Sequence, residues 1–370
     1  MVFSRLFTRR AGTQPSKETS MKIDNMLLRL CEWLRGDGAE NDIVISSRIR
    51  LARNLVGFPF MTRAGEHDRR RIRDLVLKKV PDIFKTDSAL SIDIEPLDTL
   101  DRQYLLERQL ISRELVEAEG ARAAIVDKEE KFCVMVNEED HLRIHGMTSG
   151  FNPQLIWKRI NDVDDQLEQY LPQAYDEKWG YLTACPTNVG TGMRVSVMLH
   201  LPALVVTKEI EKVFRSLQKV NLAVRGIYGE GSQSYGDFYQ ISNQATLGLT
   251  EEELIEKVAN FVPQIITYER QARQFLLDDR HDILLDRCNR ALGVLKTART
   301  IGSVEAMHHL SSLRLGINMN LLSVPTINIV NTLLLHIQPA HLQKLNEKEL
   351  TANERDVARA DYLRKKLGEI

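Results

Sequence analysis

Cysteine is scarce in this chain: only four occur in 370 residues, and Cys31, Cys133, Cys185 and Cys288 lie far apart. No Cys-x-x-Cys pair is present, and no histidines cluster at metal-ligand spacing. This argues against a zinc site or a disulfide scaffold and fits a reducing cytoplasm. An excess of charge of either sign is also missing, since 50 Lys+Arg face 51 Asp+Glu for a net charge of −1. The balance removes the electrostatic signature of a nucleic-acid or membrane-surface protein. No apolar run approaches the roughly 18–20 residues that span a bilayer. The chain lacks a Gly-x-x-x-x-Gly-Lys-Ser/Thr loop and the His-Arg-Asp and Asp-Phe-Gly phrases of protein kinases. A bound nucleotide would therefore have to be gripped by arginines.

What remains is an ordinary globular composition, 43% hydrophobic, in a length that suggests two domains. Residues 1–20 carry Arg5, Arg9, Arg10 and one acid, Glu18, without the apolar stretch of a secretory signal. They read as a disordered extension, with Met21 as an alternative start. Residues 22–36 place Leu27, Leu28, Leu30, Cys31 and Leu34 near one face, predicting a short amphipathic helix. Residues 42–53 alternate as a strand. Helix-prone segments follow at 66–80 and 98–119, then a hairpin pairs 121–126 with 131–137.

A helix over 153–173, a strand over 180–184, an apolar segment over 195–202, a helix over 203–217 and strands over 220–228 and 238–243 come next. Thr250, with Glu253 three residues on, has the spacing of a capping box, and from there the pattern is helical to the end. The pattern predicts an α+β fold, an antiparallel sheet flanked by helices, followed by an all-helical C-terminal domain. The expected divisions are 1–41, 42–272 and 273–370.

Several phrases carry chemistry. Arg48 and Arg50 share a strand face behind Ser46 and Ser47, and two guanidinia aimed the same way can grip a polyphosphate. Taken alone, an exposed basic strand face is the ordinary reading. Glu138, Glu139 and Asp140 end an apolar strand, followed by His141 and Arg143. Carboxylates gathered there suit a bound cation, although an acidic turn is the commoner reason for such a triplet. Cys185 precedes a proline and a Gly-rich turn, an arrangement that can expose a thiol, and Arg194 closes the same loop. Arg225, Gly226, Ile227, Tyr228, Gly229 and Glu230 combine a cation, flexible glycines and an acid. Near the C-terminus Arg355 and Arg359 stack at i,i+4, where a phosphate between them would offset their repulsion. Asp356 and Glu354 could equally neutralise the pair.

Taken in order, the phrases from Asn137 to Arg143, Cys185 to Arg194 and Arg225 to Glu230 resemble the ATP:guanidino phosphotransferase family. The resemblance covers roughly residues 42–272. It implies a catalytic domain of that type and ATP as substrate, with Mg²⁺ held mainly by the nucleotide and no protein metal ligand. It implies ATP contacts at Ser46, Ser47, Arg48, Ile49, Arg50, Arg143, Arg194, Val195, Ser196, Val197 and Met198, and at Arg225, Gly226, Ile227, Tyr228, Gly229 and Glu230. Glu139 is implied as the carboxylate that orients and deprotonates the guanidinium, with Glu230 as partner, Glu138 nearby and Cys185 beside the substrate. Gln109 stands where the family usually has a nucleotide-contacting histidine.

Only about forty residues precede Ser46, and a helical domain follows the catalytic one. Both features resemble the branch that phosphorylates arginine side chains of proteins. That branch implies a phosphoarginine site at Arg355, Asp356, Val357, Ala358, Arg359 and Ala360. It also implies protein substrates marked for Clp protease, a zinc-binding activator protein and a homodimer, with no nucleic acid or membrane partner. A kinase of free arginine, or a non-catalytic phosphoarginine-binding regulator, would share many of these residues.

Overall fold

The computed structural model describes residues 23–27, 29–83, 89–226 and 235–369. Strands β1 (Val44–Arg53), β2 (Leu90–Asp93), β3 (Ala123–Val126), β4 (Phe132–Val136) and β5 (Leu142–Ser149) form one part of the sheet. A short ribbon, β6 (Tyr175–Asp176) with β7 (Gly180–Tyr181), precedes β8 (Met193–His200), β9 (Leu222–Gly226) and β10 (Phe238–Asn243). The large sheet has the order β2-β3-β4-β5-β1-β8-β10-β9. Its neighbours are all antiparallel, as the alternating sequence predicts.

Alternation gives this sheet two different faces. Ile49, Leu51, Ile144, Val195, Val197 and Ile241 are buried in the main core. Helices α1 (Glu66–Ile83), α4 (Pro153–Tyr170) and the first part of a long helix near residue 251 contribute to that core. The opposite face carries Arg48, Arg50, Arg143, Arg194 and Arg225. At one side of them it packs on α2 (Thr99–Glu107) and α3 (Arg113–Glu117) through Cys133, Met135, Tyr104 and Leu115. On the other side it meets the C-terminal helices through Met147, Met198 and Phe238. The arginines lie between two apolar supports.

After α5 (Pro202–Val206) and α6 (Ile210–Lys219), helix α7 runs from Glu251 to Thr297. Thr250 and Glu253 make both bonds of the capping box that their spacing predicts. The division expected at 272/273 falls inside this helix, and the break in its geometry comes at Arg280 (φ −140°, ψ 31°). Helices α8 (Ser303–Asn318), α9 (Ile327–His336), α10 (Pro339–Leu345) and α11 (Ala352–Gly368) complete the C-terminal region.

Three predicted helices differ from the structure, and the strand expected over 180–184 covers only Gly180–Tyr181. The described residues between 23 and 36 do not form one helix; a turn near Ile23 and a 3-10 turn at Glu32–Leu34 occur instead. Their apolar side chains go to two clusters, Ile23 and Met26 to one and Cys31, Trp33 and Leu34 to the other. The predicted helix over 98–119 divides because Gln109 adopts φ 63° and the Ser112 side chain caps Leu115 N at 3.1 Å. The helix over 203–217 divides at Lys208, also with positive φ.

Glu107 ties α2 to the C-terminal helices by accepting from Ala340 N at 2.8 Å and His341 N at 3.0 Å. Burial pushes its pKa up to about 7, against the pull of those two N–H groups. A carboxyl whose folded pKa exceeds its unfolded value stabilises the fold most when protonated. Its contribution is fully present below the unfolded value near 4.5 and is lost as pH rises through 7. The Glu107→Gln variant should therefore lose the pH dependence of unfolding due to this group, about 3 kcal/mol between pH 4.5 and 7. Urea titrations of both proteins across that range check it, and parallel curves would refute it.

Candidate active site

The acidic turn is built by Asn137, whose φ of 59° reverses the chain after β4 and whose amide donates to Arg69 O and Ala121 O at 2.8 Å. Glu138 is buried and pairs with Arg143 Nη1 at 2.5 Å. Burial would raise its pKa, but Arg143, the Ser112 hydroxyl and the Glu139 N–H together hold it below the usual carboxylate range. Glu139 has the opposite balance. It is half-buried, and burial raises its pKa despite Arg143. Two adjacent carboxylates thus have different proton affinities, one fixed as an anion and one better able to take a proton.

Asp140 supplies the link to the cysteine loop. Its Oδ1 accepts from Asn54 Nδ2 and from Ala184 N, each at 2.6 Å. This seats Cys185 beside the acidic turn, and Asn188 Nδ2 closes the connection by donating to Glu139 Oε2 at 3.3 Å. The Cys185 thiol is partly exposed and lies 3.0 Å from the Thr187 hydroxyl. His141 is structural. Its Nδ1 accepts from Leu55 N at 3.0 Å and its Nε2 lies 2.9 Å from Pro59 O, which assigns the ring proton to Nε2. Asp140 belongs to the acidic triplet that the sequence marks, but it acts as a bridge between loops, and Asn54 and Asn188 carry no such mark. Asn188 lies within the cysteine phrase, whereas Asn54 is joined to the site only through the fold.

The arginines come from neighbouring strands. Arg50 stands opposite His145 on β5 and Arg194 on β8, and Arg225 stands opposite Gln240 on β10. Arg48 Nη1 donates to Gln109 Oε1 at 3.3 Å. Gln109 thus meets the arginine field and lines the same cavity. Burial, with Arg143 next, pushes Arg48 down to about 10. Burial followed by Arg48, Arg143 and Arg194 lowers Arg50 well below its ordinary value. The same surroundings keep His145 far below its usual pKa, hence neutral. The Nε atoms of Arg48 and Arg50 are buried without a hydrogen-bond partner. Crowded guanidinia that depress one another favour a multivalent anion. The arginines, Glu138, Glu139 and Cys185 line one cavity of about 680 Å³.

Not every predicted contact faces this cavity. Ile49, Val195 and Val197 lie in the core on the opposite sheet face. Ser47 also turns away, donating to Gly150 O at 2.8 Å and accepting from Asn152 N at 3.2 Å. A strand presents only alternate side chains to one ligand, so the runs 46–50 and 195–198 do not offer every side chain to the cavity. Ser46 and Ser196 are buried, and Met198 joins the apolar cluster beside the cavity. Gly226 ends β9, whereas Ile227, Tyr228, Gly229 and Glu230 lie outside the described residues.

The phrase from Arg355 to Ala360 lies on α11, away from the arginine cavity's lining. Arg359 is only 2% exposed; its Nε donates to Ile337 O and its Nη1 to Ile301 O, both at 2.9 Å. Asp356 pairs with the same guanidinium at 2.5 Å. Arg355 is partly exposed and donates to Leu350 O at 2.8 Å. Val357 is exposed, Ala358 partly buried and Ala360 buried. Neither a solvated arginine pair nor two arginines equally open to a phosphate describes this helix.

Among the described residues, no three His, Cys, Asp or Glu side chains converge as a metal site. No described helix is long and apolar enough to cross a membrane.

Comparison with known proteins places the chain among relatives. Residues 72–272 match the ATP:guanido phosphotransferase C-terminal catalytic domain, and residues 281–370 match the protein-arginine kinase McsB C-terminal domain. The chain is 44% identical over 341 residues to a protein-arginine kinase of Halothermothrix orenii, covering 91% of this chain and 97% of that protein. It is 45% identical over 338 residues to one of Symbiobacterium thermophilum, covering 90% and 96%.

Among solved structures it resembles the duplicated taurocyamine kinase of Schistosoma mansoni with bound transition-state-analogue components. The TM-score is 0.56 at 30% identity, covering 62% of this chain and 33% of that one. Lombricine kinase shares the fold with a TM-score of 0.56 at 24% identity, covering 70% and 71%. The chain belongs to the ATP:guanido phosphotransferase family, in the group that carries the protein-arginine kinase C-terminal domain.

Proposed function

We propose that this protein transfers the γ-phosphoryl group of MgATP to arginine side chains of other proteins. The observation that carries the reading is the single cavity where a field of arginines meets Glu138, Glu139 and Cys185. Relatives named protein-arginine kinase, 41–45% identical over most of the chain, support the choice of acceptor.

In this mechanism Arg48, Arg50, Arg143, Arg194 and Arg225 hold the polyphosphate and stabilise its charge. Glu139 orients the incoming guanidinium and takes a proton from its attacking nitrogen. The P–N bond forms as the bond to the β-phosphate oxygen breaks, and ADP leaves. No covalent intermediate on the protein is needed. Cys185, partly exposed at the acidic end, lies against the guanidinium, and Glu138 keeps Arg143 in place. Glu230 is the second carboxylate that the family resemblance assigns. The metal belongs to the nucleotide substrate and water rather than to a protein ligand set.

The wider role is phosphorylation of cytoplasmic proteins, marking them for Clp protease. It includes a zinc-binding activator protein, a homodimer and phosphoarginine recognition around Arg355. Purified protein with MgATP should place acid-labile phosphate on an arginine-rich unfolded protein, with little on free arginine. Label on free arginine alone would favour a small-guanidine kinase, and label on neither would overturn the catalytic reading.

A further inference from the structure

The cavity has two chemically different ends, and strand register orders them. β1 advances about 3.3 Å per residue, which sets Ile45 about 10 Å from Arg48 and about 16 Å from Arg50 along the strand. Beyond Arg50 lie Arg143 and the acidic turn. In the other direction the antiparallel pairing brings Met198 and Phe238 beside the start of β1. Simple alternation would put Ile45 on the core face with Ser47 and Ile49. A shift in the β1–β8 register between Val44 and Ser46 accompanies its placement in the apolar cluster and the cavity lining instead.

Facing these sheet residues are Met307 of α8 and Leu334 and Leu335 of α9. Gln338, just before α10, fastens them together. Its Nε2 donates to Leu334 O at 2.9 Å and meets the Met307 sulfur at 3.5 Å. All four lie within residues 281–370 and outside the catalytic-domain match at 72–272. The cavity therefore spans both regions of the chain.

Phosphates gain nothing from an apolar wall, whereas a flat base at the far end of a nucleotide does. On the reading that the arginines hold the phosphates of ATP, we infer that the C-terminal helices build one wall of the nucleobase seat. Met307, Leu334 and Leu335 pack against the adenine, opposite Ile45 and Phe238. Nucleotide affinity then depends on the docking of these helices as well as on the sheet.

Two measurements on the full chain test this. Photolysis with 2-azido-ATP, with and without excess ATP, should give ATP-protected labelling within residues 303–338; labelling confined to 72–272 would overturn the inference. In the second, Leu334→Ala should weaken ATP binding on the order of tenfold while inorganic tripolyphosphate binding stays within about twofold. Equal losses for both ligands would make Leu334 a support of the fold alone, and no loss for either would remove it from the seat. If tripolyphosphate fails to compete with ATP on the unsubstituted protein, the arginine cradle fails, and with it the basis of the inference.

Discussion

Glu139→Gln is expected to lower kcat by about 10²- to 10⁴-fold, the range that a positioned general base contributes. Glutamine keeps the shape and can still meet the Asn188 side chain, but it cannot accept a proton from the guanidinium. The side chain is half-buried and makes no ion pair among the described residues, so the variant should unfold at the same denaturant midpoint. The pH profile adds a second reading. A base works when deprotonated, so kcat/KM should fall as pH drops through the Glu139 pKa. Burial places that limb above the ordinary carboxylate range.

Glu138→Gln should behave differently. Its carboxylate is the buried partner of Arg143, so the loss would include stability and phosphate binding. Steady-state kinetics of both variants with an unfolded protein substrate, alongside urea titration, separates them. Turnover retained by Glu139→Gln would remove the residue from proton transfer and leave that step to another carboxylate.

The parts of the site that were legible in the sequence were those carried by short periods. Arg48 and Arg50 sit two apart on a strand, and they share a face. Thr250 and Glu253 have capping-box spacing, and they form the box. The hairpin of β3 and β4 follows from two apolar runs around an acidic turn. The same period turns the side chains of Ser47, Ile49, Val195 and Val197 away from the cavity.

What could not be read depends on distant partners. Asn54 and Asp140 join the cysteine loop to the acidic turn only because β1 and β5 pair side by side. Ile45 faces the cavity where the register shifts, and no local residue pattern announces that irregularity. Residues 22–36 have helical periodicity, yet their apolar side chains gain more by entering two separate clusters than one helix face could bury.

Arg359 shows the same limit and leads to the second large effect. In sequence it belongs to a pair of like charges one turn apart, open to a phosphate or to solvent. In the structure its guanidinium bridges Ile337 O and Ile301 O and pairs with Asp356. Truncation would strand the two carbonyls in a region with little water, while the Asp356 carboxylate, 39% exposed, would turn to solvent. Arg359→Ala is therefore expected to destabilise the protein by about 2–4 kcal/mol, chiefly through the two buried carbonyls that lose a charged donor. Loss of phosphoarginine binding by that variant would then say little about contact with the ligand.

Arg355→Ala isolates the binding question. Arg355 is partly exposed and gives the fold one bond to Leu350 O, so its removal should cost about 1 kcal/mol or less. Weakened phosphoarginine binding in Arg355→Ala at near-normal stability would assign it a direct contact, and unchanged binding would withdraw it. Urea titration of both variants decides the structural claim. An Arg359→Ala midpoint equal to that of the unsubstituted protein would mean that the guanidinium does not clamp α11 to the turn after α9.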